Sequence, residues 1–281
     1  MNATQTNMFK KFLFVILLGS AAHEALAQSL ALAPAEIQYQ FKPGQPFQFE
    51  IAVSNGGSGP AVMRTSVTDL WYNEKNEKLF GPAGSSPRSA GNWMEVVPPQ
   101  ITVPPGGTGK VTVVVTPPVE ASGGYYGVVF LESRPEPIGS NAENKAVFAN
   151  IQLGSLVLLS ALHTDQYGIE ISEAQLTPPD SSRSLKLDFL LSNKSNTHVF
   201  PEPRLAILNS KRALVAKSEG AVQRFFPEQK DRLSVSWAGS LPPGEYTAVL
   251  TVAYGPEGIQ TKEIPFHVPA PGQPVRVVET R

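Results

Sequence analysis

Apolar residues recur at every second position over much of the chain, the period of a strand with one face buried. Phe47, Phe49, Ile51 and Val53 alternate with Gln48, Glu50 and Ala52, and Val111, Val113 and Val115 flank Thr112 and Val114. Further on, Leu185, Leu187, Phe189 and Leu191 alternate with Lys186, Asp188 and Leu190, and Leu233, Val235 and Trp237 with Ser234 and Ser236. Helical periodicity is nearly absent. Short strands joined by Pro and Gly turns predict an all-β chain built as antiparallel sandwiches.

The runs also repeat one another. Phe47-x-Phe49-x-Ile51-x-Val53-Ser54-Asn55 aligns with Leu185-x-Leu187-x-Phe189-x-Leu191-Ser192-Asn193. Pro105, Val111, Val113 and Val115 align without a gap with Pro227, Leu233, Val235 and Trp237. Gly124-Tyr125-Tyr126 then matches Gly244-Glu245-Tyr246. Two copies of one plan predict two domains. A Tyr opening a late strand after a Gly turn fits a tyrosine corner, for which Tyr126 and Tyr246 are the candidates.

Residues 1–27 read as an export signal. Lys10 and Lys11 give the positive end, Phe12 to Leu18 the apolar segment, and Ala25-Leu26-Ala27 a small-x-small cleavage site. The apolar run falls well short of the roughly 20 residues that span a bilayer. No other stretch is long and apolar enough, so the expected mature protein is exported and soluble, without a membrane span. The expected division is 1–27 signal, 28–162 first sandwich, 163–270 second sandwich and 271–281 a flexible tail.

Composition then removes several functions. The net charge of −1 offers no clustered basic excess for nucleic acid. The chain has no cysteine, which excludes disulfides, thiolate zinc sites and thiol nucleophiles. The three histidines beyond the export signal, His163, His198 and His267, lie far apart and lack metal-ligand spacing, so no metal site is expected. Gly106-Gly107-Thr108-Gly109-Lys110 resembles the end of a phosphate loop, but Pro104 and Val111 occupy its strict positions, and a strand follows where a helix should. No G-x-S-x-G elbow occurs. Neither catalytic residues nor a cofactor are expected.

The stretch Ala149–Leu162 is the informative one. Ile151, Leu153, Val157, Leu159 and Ala161 share one parity, while Leu156, Leu158 and Leu162 share the other. A strand with one face on its own core should be polar on the other. Two apolar faces imply a second partner, which is either the second domain or a strand of another protein.

Ser86-Pro87-Arg88-Ser89-Ala90-Gly91-Asn92-Trp93, Val97-Pro98-Pro99, Pro104-Pro105-Gly106-Gly107 and Gly123-Gly124-Tyr125-Tyr126-Gly127-Val128-Val129-Phe130 occur in that order. With Ala33-Pro34, Pro43-Gly44 and Ser54-Asn55 they resemble the pilus-assembly chaperones of the PapD type, over about Gln28 to Pro269. The resemblance implies two immunoglobulin-like β-sandwich domains set at an angle. It implies a periplasmic, non-enzymatic chaperone that lends the last strand of its first domain to exported pilus or surface subunits. The lending residues would then be Ile151, Leu153, Val157 and Leu159. Such chaperones usually hold the subunit's C-terminal carboxylate with a basic pair on the first and lending strands. Here Ser29–Ala35 and Ile151–Leu162 carry no basic residue, and only Lys42 and Lys145 flank them. The alternative is an envelope or cell-surface immunoglobulin-like binding module, working through exposed loop residues such as Trp71 and Trp93.

Overall fold

The computed structural model describes residues 29–140, 146–179, 183–270 and 276–277. The expected signal at 1–27 lies outside them. Apart from one short 3-10 turn at Gly91–Trp93, every regular element among the described residues is a strand. In the first half these are β1 (Leu30–Ala33), β2 (Glu36–Phe41), β3 (Phe47–Asn55), β4 (Ala61–Tyr72), β5 (Lys78–Pro82), β6 (Met94–Val97), β7 (Gln100–Val103), β8 (Thr108–Val115), β9 (Gly124–Ser133), β10 (Glu136–Ser140), β11 (Ala146–Ala149) and β12 (Gln152–Ala161). The second half holds β13 (Ile169–Thr177), β14 (Leu185–Asn193), β15 (Glu202–Asn209), β16 (Leu214–Glu219), β17 (Lys230–Trp237), β18 (Gly244–Tyr254), β19 (Gly258–Val268) and β20 (Arg276–Val277).

Each half stacks two sheets over its own core. In the first, the sheet β1-β3-β8-β6 faces the sheet β2-β12-β9-β4-β5, with β7 also on β4. The alternating residues read from the sequence fill the space between them: Ile51, Val53, Val111, Val113 and Val115 meet Val129, Leu131, Val157 and Leu159. In the second, β13-β14-β17 faces β16-β15-β18-β19-β20 over Leu185, Leu187, Phe189, Leu191, Leu205, Leu250 and Phe266. Among the described residues no sheet spans both halves.

The first edge of the molecule is made in two pieces. β1 pairs antiparallel with β3, the chain turns at Pro34 after a cis peptide bond, and β2 then runs parallel to β12 in the opposite sheet. One short segment thereby closes the same side of both sheets, which limits the exposed strand edge.

The internal repeat holds at the level of single atoms. Asn55 and Asn193 are both buried at the end of an equivalent strand. The Asn55 amide donates to the carbonyls of Gly59 and Val103, and its Oδ1 accepts from Gly57 N–H. The Asn193 amide donates to the carbonyls of Thr197 and Phe225, and its Oδ1 accepts from Ser195 N–H. Backbone bonds follow suit: Asn55 N–H donates to Gly107 O and Asn193 N–H to Gln229 O. Each asparagine ties its own turn to the Pro turn that precedes the next strand. A buried amide satisfied three ways has little tolerance for replacement. Asn55→Ala and Asn193→Ala are each expected to cost about 3 kcal/mol, from the buried groups left unpaired, read as a lowered midpoint in chemical unfolding; a loss below about 1 kcal/mol would show the knots to be dispensable.

Candidate partner-binding surface

The two faces of β12 have different fates. Val157 and Leu159 are 0% exposed and sit in the core of the first half. Leu158, of the opposite parity, is equally inaccessible, but it packs in a separate cluster with Leu70, Tyr126, Val128 and Phe226. Tyr72, Phe130 and Leu156 border that cluster. Phe226 comes from the second half, so the second half covers the outer apolar face of β12. At Leu158 the second half is therefore the partner of this face.

The covering element is the turn that precedes β17. Its Phe226 ring stacks on Tyr72 at 5.4 Å between centroids and meets Tyr126 edge-on at 4.7 Å. Arg224 bonds Glu36 on β2 through Nη2 at 2.6 Å, and its guanidinium lies 5.2 Å from the centre of the Phe200 ring. Gln229 donates from Nε2 to Asn76 Oδ1 and accepts from Phe226 N–H. Burial alone would raise the Glu36 carboxyl, but hydrogen bonds from Gln38 and Arg224 outweigh it and hold the pKa below its ordinary value. At the opposite end, Gly124 N–H donates to Asn196 O and Gly123 N–H to Thr164 Oγ1. Gly123 has a φ of 75°, and a Cβ there would come within 2.4 Å of Asn196 O, so only glycine allows this approach.

The tyrosine-corner expectation is met at one position and displaced at the other. The Tyr246 hydroxyl donates to Pro242 O four residues upstream, a corner bond. Tyr126 instead turns outward into the contact between the halves, with its hydroxyl 3.5 Å from His198 Nδ1. Its neighbour Tyr125 takes the local role and accepts from Ser122 N–H. Burial pushes the Tyr126 hydroxyl well above its ordinary range and pushes His198 down to about 4.

The Ser86–Trp93 motif has a local explanation. It wraps the carboxylate of Asp69, which is buried at 0% exposure on β4. Ser86 N–H donates to Oδ2, while Ser89 Oγ and Gly91 N–H donate to Oδ1. Three donors make a buried carboxylate tolerable without a cation. Trp93 is a correction to its reading as an exposed loop residue: it packs against Tyr125 at 4.2 Å and Phe41 at 5.8 Å. Trp71 lies within β4 and is half-buried rather than on a loop.

The four nominated lending residues fall into two pairs. Val157 and Leu159 are enclosed on both sides, with β9 antiparallel to β12 and β2 parallel to it from Leu156 to Ala161. Ile151 and Leu153 are half-buried. Pairing with β2 begins where Leu156 N–H donates to Ala35 O. The period of two turns the N–H and C=O of Gly154 and Gln152 to that same side, where no strand lies among the described residues. Upstream, β11 and β10 carry the hairpin beyond the sandwich, with Phe148 60% exposed. Sequence reading found this strand but missed Asp69, Phe226 and Arg224. A signal for the last two existed: Phe225-Phe226 stand where the first copy has Val103-Pro104.

Among the described residues no group of His, Cys, Asp or Glu could hold a metal ion. His163 is exposed, and His267 bonds Glu245. No described helix is long and apolar enough to cross a membrane.

No family model and no curated relative matches the chain. The fold is similar to that of PapD-like fimbrial chaperones. The class 5 fimbriae chaperone CfaA is similar over 83% of this chain and 99% of its own, at 12% identity and a TM-score of 0.49. The E. coli chaperone DraB is similar over 84% and 97%, at 13% identity and a TM-score of 0.41. A structure of the Salmonella enterica SafA pilin with the SafB chaperone is similar over 86% and 97%, at 12% identity and a TM-score of 0.41.

Two outcomes are expected of the contact between the halves. Phe226→Ala should cost about 3–5 kcal/mol, the usual loss for a buried ring, and should separate the unfolding of the halves in calorimetry. His198 is neutral in the fold and titrates near its ordinary value when unfolded. Between pH 6.5 and about 4 the unfolded chain therefore binds the extra proton, and stability falls as pH drops through that window. Replacing His198 with Gln should flatten that part of a stability profile; an unchanged slope would assign it to other groups.

Proposed function

We propose that the protein is a non-enzymatic periplasmic chaperone that binds exported pilus or surface subunits by strand pairing along β12. The observation that carries this reading is the uncovered backbone edge from Gln152 to Gly154, on a strand held firmly by its downstream end. Val157 and Leu159 anchor the strand in its own core, so that Ile151 and Leu153 are presented next to free N–H and C=O groups. An extended segment that lacks a strand could add to that edge, with main-chain bonds giving affinity and alternate side chains selectivity. Burying what remains exposed of Ile151 and Leu153 would contribute about 1.5–3 kcal/mol before ordering costs. That magnitude suits a contact that must later be released. The order of motifs from Ser86 to Phe130 supports the same reading. We further propose residues 28–162 and 163–270 as its two domains.

The experiment is affinity purification of the tagged mature protein from its native envelope, with mass spectrometry of stoichiometric partners. Leu153→Asp places a charge beside the edge, and Gln152→Pro removes an N–H on the free side without touching the β9 ladder. Each should lower partner recovery at least tenfold, with the melting temperature near the parent's for Gln152→Pro and lowered for Leu153→Asp, whose leucine also packs on the first core. Undiminished recovery with either variant would overturn strand pairing at this edge. Retention that depended instead on exposed loops would move the protein to the class of envelope binding modules.

A further inference from the structure

A second surface of the contact between the halves has chemistry that strand pairing does not use. A cleft of about 540 Å3 lies between β2 and β12 on one side and the segment Thr197–Glu202 on the other, with Asp165 and Tyr167 of the connecting turn between them. The carboxylate of Asp165 accepts one hydrogen bond, from the Tyr167 hydroxyl to Oδ2 at 3.2 Å. Its Oδ1 is buried and receives none from the protein. The other carboxylates around the cleft are matched by cations: Glu36 bonds Arg224 and Glu202 bonds Arg204, each through Nη2. For Asp165 no described lysine or arginine lies within ion-pair distance. His198 is kept neutral by burial and by the neighbouring Arg224 charge, so it does not neutralise Asp165. The wall adds an aromatic ring in Tyr167, about two-fifths exposed, whereas the Phe200 ring already carries the Arg224 guanidinium. A carboxylate short of donors, at the edge of a low-dielectric contact and beside a ring face, attracts a cation more strongly than a solvated one does.

We propose that this cleft binds a primary ammonium or guanidinium group, with Asp165 as its counter-charge and Tyr167 as its aromatic wall. The turn that holds Asp165 is fixed on both sides. Asn196 donates from Nδ2 to Thr164 O, and its Oδ1 accepts from Gln166 N–H. The carboxylate is therefore presented at a set place between the halves. The inference is independent of strand pairing, because the cleft is lined by Leu158 and Ser160 of β12 and by none of Gln152–Ser155.

The test is calorimetric titration of the mature protein with arginine amide, with citrulline amide as the uncharged isostere. Arginine amide should bind at least tenfold more tightly than citrulline amide. Asp165→Asn, which keeps a group able to accept the Tyr167 hydroxyl, should remove that preference without lowering the melting temperature. Glu202→Gln should change the affinity less than twofold. A Gly-Ser peptide with one central arginine separates two sources of the cation. Tenfold tighter binding than arginine amide indicates a side chain of a partner protein, and equal binding indicates a small free cation. Equal binding of the two amides, or an unchanged preference in Asp165→Asn, would overturn the proposal. Should that variant melt early, Tyr167→Leu, which removes a wall and the hydroxyl but no charge, must still weaken arginine amide binding severalfold.

Discussion

β12 has to satisfy two apolar surroundings at once. Its odd positions complete the first sandwich and its even positions complete the contact with the second half, so neither can be shifted without disturbing the other. A slip of one residue would exchange the two faces, placing Leu158 in the sandwich core and Val157 under Phe226. The register is thus specified twice, and the strand's upstream end inherits a fixed direction as it leaves the sheet. Rigid placement of an edge is what any mode of strand pairing requires, since disorder there would have to be removed on binding.

The two halves use one device for different ends. In each, a buried asparagine ties its strand end to a Pro turn. In the first copy that turn, Pro104–Gly107, faces solvent; in the second, Arg224–Gln229 carries an aromatic ring, a guanidinium and an amide into the first half. The scaffold of the turn is shared, and only the outward side chains differ. This is how a repeated sandwich acquires an orientation relative to its copy without altering its own core.

Much of this was legible in the order of residues. Strand positions such as Phe47–Val53 and Leu185–Leu191 show their buried face directly, because one sheet face is core and the other is not. The repeat exposed Asn55 and Asn193 as equivalent before their bonds were known. The remainder depended on partners far apart in sequence. Asp69 looks like an ordinary strand aspartate until Ser86, Ser89 and Gly91 are seen around it. The move of the first segment from one sheet to the other, which covers β12 beyond Leu156, leaves no periodic trace, since β1 and β2 are too short to show one. The enclosure of Val157 and Leu159 follows from that move and from the sandwich core, whereas their apolar character alone fitted a lent strand equally well.

The glycine contact at Gly123 gives the molecule a fulcrum. There the backbones of the two halves touch at a point that no side chain can widen, and the Tyr126–Phe226 contact lies beside it. The cleft holding Asp165 opens by β2, and a larger one of about 920 Å3, bordered by Trp71, Arg88 and Lys230, opens by β4. Rocking the halves about such a point would widen one recess as it narrows the other.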